Sequence, residues 1–86
     1  MIKKNVKIQL DSGLDVEPVA MLVQVANRYS SQIYIRNDKH RFNAKSIMGM
    51  MTLCTEKAAE LEITADGADE EEAVAQIEQY LSGQSA

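Results

Sequence analysis

Apolar residues in this chain recur at two different spacings, and the order in which those spacings alternate leaves few folds open. In "IKKNVKIQL", residues 2–10, Ile2, Val6, Ile8 and Leu10 share one parity. Lys3, Asn5, Lys7 and Gln9 take the other, with Lys4 as the exception. A period of two marks a half-buried strand. Gly13 permits a sharp turn, and the spacing then changes. Val19, Leu22, Val23, Ala26 and Tyr29 fall at helical intervals, with Glu17, Gln24, Asn27 and Arg28 elsewhere on the wheel. Asp15 is a suitable N-cap for that helix. Pro18 falls within its first turn, where a missing N–H costs nothing. The helix is predicted to stop near Ser30 and Ser31.

The alternation continues along the chain. "QIYIR" and "HRFN" read as strands joined through "NDK", where Asn37 and Asp38 are among the few non-glycine residues that tolerate positive φ. Ser46 can cap a short helix, "IMGMMTL", and "ELEITA" alternates again with Leu61, Ile63 and Ala65 on one face. Gly67 breaks that strand. Asp69 followed by Glu72 resembles a capping box, opening a last helix with an apolar stripe of Ala73, Val74, Ile77, Tyr80 and Leu81. The order β-α-β-β-α-β-α predicts an α+β open-faced β-sandwich: one four-stranded antiparallel sheet with three helices on one face. Residues 1–82 are expected to form a single domain and residues 83–86 a frayed tail.

Composition narrows the function classes. A net charge of −4 on 86 residues argues against nucleic acid as a direct partner, because binding there depends on Lys and Arg neutralising phosphates. The acids gather in "ADEEEA", as at a solvated helix start. Cys54 is the single cysteine, so no internal disulfide can form, which fits a reducing cytoplasm. No apolar run approaches a membrane span, and "MIKKNVKIQL" lacks the apolar core of a signal peptide.

Few residues offer chemistry of their own. Asp11, Asp15 and Glu17 make a carboxylate group too sparse for calcium, and zinc prefers His or Cys. His40 reads as a turn residue, and nothing marks Cys54 as an activated thiol. No metal site, cofactor site or phosphate-cradling glycine loop emerges. The segment around Ser46 is different. If Met50 and Leu53 face the core, Ile47, Met48 and Met51 lie on another side of the short helix as an adaptable apolar patch. The alternative is that a two-turn helix buries all five. A phosphate on Ser46 would lie over the helix start, adding about −1.5 to −2 charge without melting the helix.

"NAKSIMGMM" and "SGLDVEP", together with "GADEEEAV", resemble the histidine-containing phosphocarrier (HPr) family of the bacterial sugar phosphotransferase system across essentially the whole chain. "KSIMG" resembles the Gram-positive branch. The family motif is Gly, Leu or Ile, His, any residue, Arg, Pro; its histidine accepts phosphate from enzyme I and passes it to sugar transporters. By that resemblance Asp15 occupies the histidine position and Glu17 the arginine position, while Gly13 and Pro18 are kept. Glu17 would oppose an incoming phosphoryl group, by roughly 1 kcal/mol at ~4 Å in water and by several in a closed interface. The chain is also similar to the histidine-lacking HPr-like proteins of catabolite repression, although those keep the arginine.

The resemblance therefore implies a non-enzymatic regulatory protein, itself the substrate of HPr kinase/phosphorylase at Ser46. Its surface of Ile47, Met48, Met51, Ala20 and Lys45 would contact catabolite control protein A or phosphotransferase-system proteins, with no membrane partner. The alternative is a phosphorylation-independent scaffold or decoy whose acidic helix start, Asp15 and Glu17, imitates a phosphorylated state. Some HPr-like proteins exchange their first strand between copies, so monomer and dimer are both open.

Overall fold

Seven elements follow in the predicted order: β1 (Ile2–Lys7), α1 (Val16–Ala26), β2 (Gln32–Arg36), β3 (Arg41–Asn43), α2 (Ile47–Leu53), β4 (Glu60–Asp66) and α3 (Glu70–Leu81). They are seen in a computed structural model that describes residues 1–8, 16–53 and 60–82. The strands form one sheet in the order β1-β4-β2-β3, antiparallel throughout. Register explains why alternation was so clear in the sequence. Ile63 pairs with Ile35, which pairs with Phe42, and Val6 pairs with Leu61, so one face of the sheet is an apolar surface. The helices cover that face. Leu22, Val19, Met50, Leu53, Ile77 and Leu81 are fully buried against Ile33, Ile35, Leu61 and Ile63. Each side chain of that size contributes roughly 1.5–3 kcal/mol on burial.

The parity exception in β1 has a physical reason. Lys4 shares the inward face with Val6, but β1 is a sheet edge, and its ammonium reaches out to Glu78 of α3 at 2.9 Å. The opposite face of the sheet is polar. There Arg36 and Arg41 are directly paired, and the Arg41 guanidinium lies 4.5 Å from the Tyr34 ring centroid. Stacking on the π-face gives the second cation a favourable place beside the first.

Local geometry adds one feature and corrects two expectations. The β2–β3 turn makes no use of the positive φ that Asn37 and Asp38 tolerate; among the described residues none but glycine has one. The buried Asn37 instead accepts the N–H groups of Lys39 and His40 on its side-chain oxygen, at 2.8 and 2.7 Å. A side-chain oxygen closing the turn removes the need for a left-handed residue. α1 ends at Ala26 rather than near Ser30, because its last bonds tighten to three-residue spacing, Arg28 N to Val25 O and Tyr29 N to Ala26 O. Asp69 makes no side-chain cap of α3. Its carboxylate accepts the main-chain N–H groups of Ser30 (2.9 Å) and Ser31 (3.0 Å) and both serine hydroxyls. Glu70, not Glu72, reaches back, accepting the Gly67 N–H at 3.2 Å.

Candidate functional site

The approach to α2 is fixed from two sides. Asn43 Oδ1 accepts the Lys45 N–H at 2.9 Å, and the Asn43 carbonyl accepts the Ser46 N–H at 3.0 Å. From the other side, Asn27 at the end of α1 donates from Nδ2 to the Val23 carbonyl (2.9 Å) and the Lys45 carbonyl (3.4 Å). Lys45 Nζ donates to the Tyr29 carbonyl at 2.6 Å. No basic residue lies in the last turn of α1, so Lys45 supplies the cation that suits a helix C-terminus. Ser46 is thereby held where its carbonyl accepts Met50 N–H at 2.9 Å and its Oγ accepts Gly49 N–H at 3.3 Å. It is the helix cap that the sequence suggested.

Of the predicted surface residues, Ile47 is 45% and Met48 83% exposed, while Met50 and Leu53 are fully buried. Helical spacing in α2 therefore separates core from surface, and the reading in which all five apolar residues are buried fails. Met51 differs from expectation in being half-buried and packed against the core. Ala20 and Lys45 are also half-buried. On α1, Val16 and Met21 add exposed apolar surface that the sequence reading did not single out.

Glu17 is exposed in the first turn of α1. Burial, with the Glu17 carboxylate nearby, raises the Tyr80 phenol above its ordinary pKa, which sets Glu17 toward the end of α3. Asp15 and Asp11 lie outside the described residues, as do Cys54 and the tail at 83–86. His40, the only histidine of the sequence, is exposed in the β2–β3 turn with its ring edge-on to Phe42. Among the described residues no group of three His, Cys, Asp or Glu side chains could hold a metal ion. No described helix is long and apolar enough to cross a membrane.

The arrangement that sequence reasoning missed is the Asp69 cluster. The Ser31 hydroxyl first, then the main-chain N–H groups of Ser30 and Ser31, stabilise its charged form and lower its pKa to about 2. It ties the loop after α1 to the start of α3. No local motif announces a bond across that much sequence.

Comparison with known proteins agrees with this framework. Residues 2–82 match the family described as the PTS HPr component phosphorylation site. The HPr-like protein Crh of Bacillus subtilis (strain 168) is 38% identical over 81 residues, covering 94% of this chain and 95% of that one. The crystal structure of phosphocarrier protein HPr from Bacillus anthracis superposes with a TM-score of 0.85 at 40% identity, covering 93% and 95% of the two chains. The Bacillus subtilis Crh crystal structure, described as a domain-swapped dimer, gives 0.74 at 36% identity, covering 100% and 99%. Matched along nearly its whole length in both sequence and fold, the chain belongs to the HPr family of the phosphotransferase system.

Proposed function

We infer that this protein is an HPr-like regulator of carbon catabolite control rather than a phosphocarrier, modified on Ser46 by HPr kinase/phosphorylase and read by protein–protein contact. The observation that carries the reading is the exposure of Ile47 and Met48 immediately beside the capping Ser46. A phosphate there changes the charge of an apolar docking surface while leaving the core residues of α2 where they are. The likeness to Crh supports the regulatory assignment. Position 15 supports the loss of phosphotransfer: it is aspartate, and the one histidine of the chain lies at residue 40. Glu17 adds a negative charge where the family's arginine would assist a phosphoryl group.

Catabolite control protein A is the reader this assignment favours, with phosphotransferase-system proteins as the other class. The transfer is a displacement at phosphorus: Ser46 Oγ bonds to the γ-phosphorus of ATP, the bond to the bridging oxygen breaks, and the hydroxyl proton passes to a base of the kinase. Intact mass after incubation with HPr kinase/phosphorylase and ATP tests it. One added phosphate, absent from Ser46→Ala, is expected. No phosphate from a kinase that modifies a Bacillus subtilis HPr control would remove the switch and leave Ser46 as a helix cap alone.

A further inference from the structure

Gly49 sits inside α2, where a glycine weakens a helix relative to alanine because more backbone freedom is lost on folding. Among the described residues nothing in the packing demands it. Its φ is not positive, and of the described side chains a Cβ built there would meet only that of Ser46, at 3.5 Å from Oγ and 3.7 Å from Cβ, both ordinary contact distances. Gly67 shows what a required glycine looks like in this fold: a Cβ there would fall 2.6 Å from the Ser31 Cα. Besides that cost in the helix, the missing methyl at Gly49 leaves open space beside a single hydroxyl.

The geometry points to Gly49 as a positioning residue for modification of Ser46, one that keeps the flank of Oγ clear for an incoming phosphoryl donor; this rests on the function proposed above. As the hydroxyl stands, a methyl would merely touch it. During transfer, the phosphorus must come within roughly 3–3.5 Å of the attacking atom with its three oxygens arrayed around it, and the methyl would occupy part of the volume they need. The Gly49 N–H, 3.3 Å from Oγ, stays available in either case. Access and capping are thus separable at this residue: substitution closes the first and preserves the second.

The test uses the full chain with Gly49→Ala. Its Tm is expected to rise by about 4 °C, since helix propensity improves without a clash. The kcat/KM of HPr kinase/phosphorylase for it is expected to fall at least fivefold, mainly through kcat. A purely structural role would move Tm downward, and an unchanged rate of phosphorylation would overturn the proposal. A second measurement separates it from the parent reading. In Ser46→Cys combined with Cys54→Ala, the rate of alkylation by iodoacetamide is compared with and without Gly49→Ala. If the unaltered chain takes no phosphate, the regulatory reading falls. The clearance proposal is then decided by alkylation alone: at least fivefold slowing supports it, and equal rates overturn it.

Discussion

Asp69 directs its carboxylate at a loop 38 residues away, and it titrates accordingly. Its charged form is held by two main-chain donors and two hydroxyls, which lowers its folded-state pKa from 3.8 to about 2. Folding therefore favours the deprotonated form. Its contribution is fully present above about pH 4 and is lost as pH falls through the folded value near 2. Urea midpoints measured from pH 5 down to pH 2 are expected to fall across that window. Asp69→Asn keeps one acceptor but no charge, so its midpoint should be lower than that of the parent at pH 7. The gap should narrow toward pH 2, where about half of the parent carboxylate is protonated as well. A constant gap across the window would mean that the hydrogen bonds hold without the charge.

The same contact governs the element that carries it. The turn between β4 and α3 passes so close to Ser31 that only a residue without a side chain fits, and Gly67 there has φ +159°. Gly67→Ala forces a backbone shift that also displaces the donors of Asp69. A loss of about 1–3 kcal/mol is expected, read as a fall in Tm of about 4–8 °C for each kcal/mol. Its sign is opposite to that expected at Gly49, so the pair tests whether glycines in this fold are distinguished by their surroundings. What the sequence made legible at this scale follows the same division. Strands and helices were readable because parity and helical period are local. The division of α2 into buried Met50 and Leu53 against exposed Ile47 and Met48 was readable only as one of two alternatives, and Met51, grouped with the exposed pair, is half-buried. The Asp69–Ser31 bond, the Lys45 link to the Tyr29 carbonyl and the Asn37 side-chain turn were not readable. Each depends on a partner or a rotamer that the fold selects, and local signatures suggested a capping box and allowed a left-handed turn in their place.

Across the whole molecule the two faces of the sheet differ in what covers them. One face is buried under the helices. The other carries Asn5, Glu62, Arg36 and Arg41 in one directly paired row, with Arg41 stacked on Tyr34. Apolar surface instead emerges on the helical side, at Val16, Met21, Ile47 and Met48. If a regulator reads the Ser46-phosphorylated form, its contacts belong on that side. Met48→Ala should then leave Tm nearly unchanged, since exposed substitutions fall within about 0.5 kcal/mol. Its effect belongs in binding, where removing an anchor of an interface typically costs more than about 1 kcal/mol, or several-fold in Kd. Arg36→Ala, on the opposite face, should alter neither quantity. Met50→Ala provides the contrast: its fully buried side chain should cost about 2–5 kcal/mol of stability, with binding lost only as folding is lost. Calorimetric titration of the phosphorylated variants against catabolite control protein A, alongside their melting curves, checks all three. A binding defect in Arg36→Ala with none in Met48→Ala would move the recognition surface to the open sheet, and the apolar helical patch would then need another occupant.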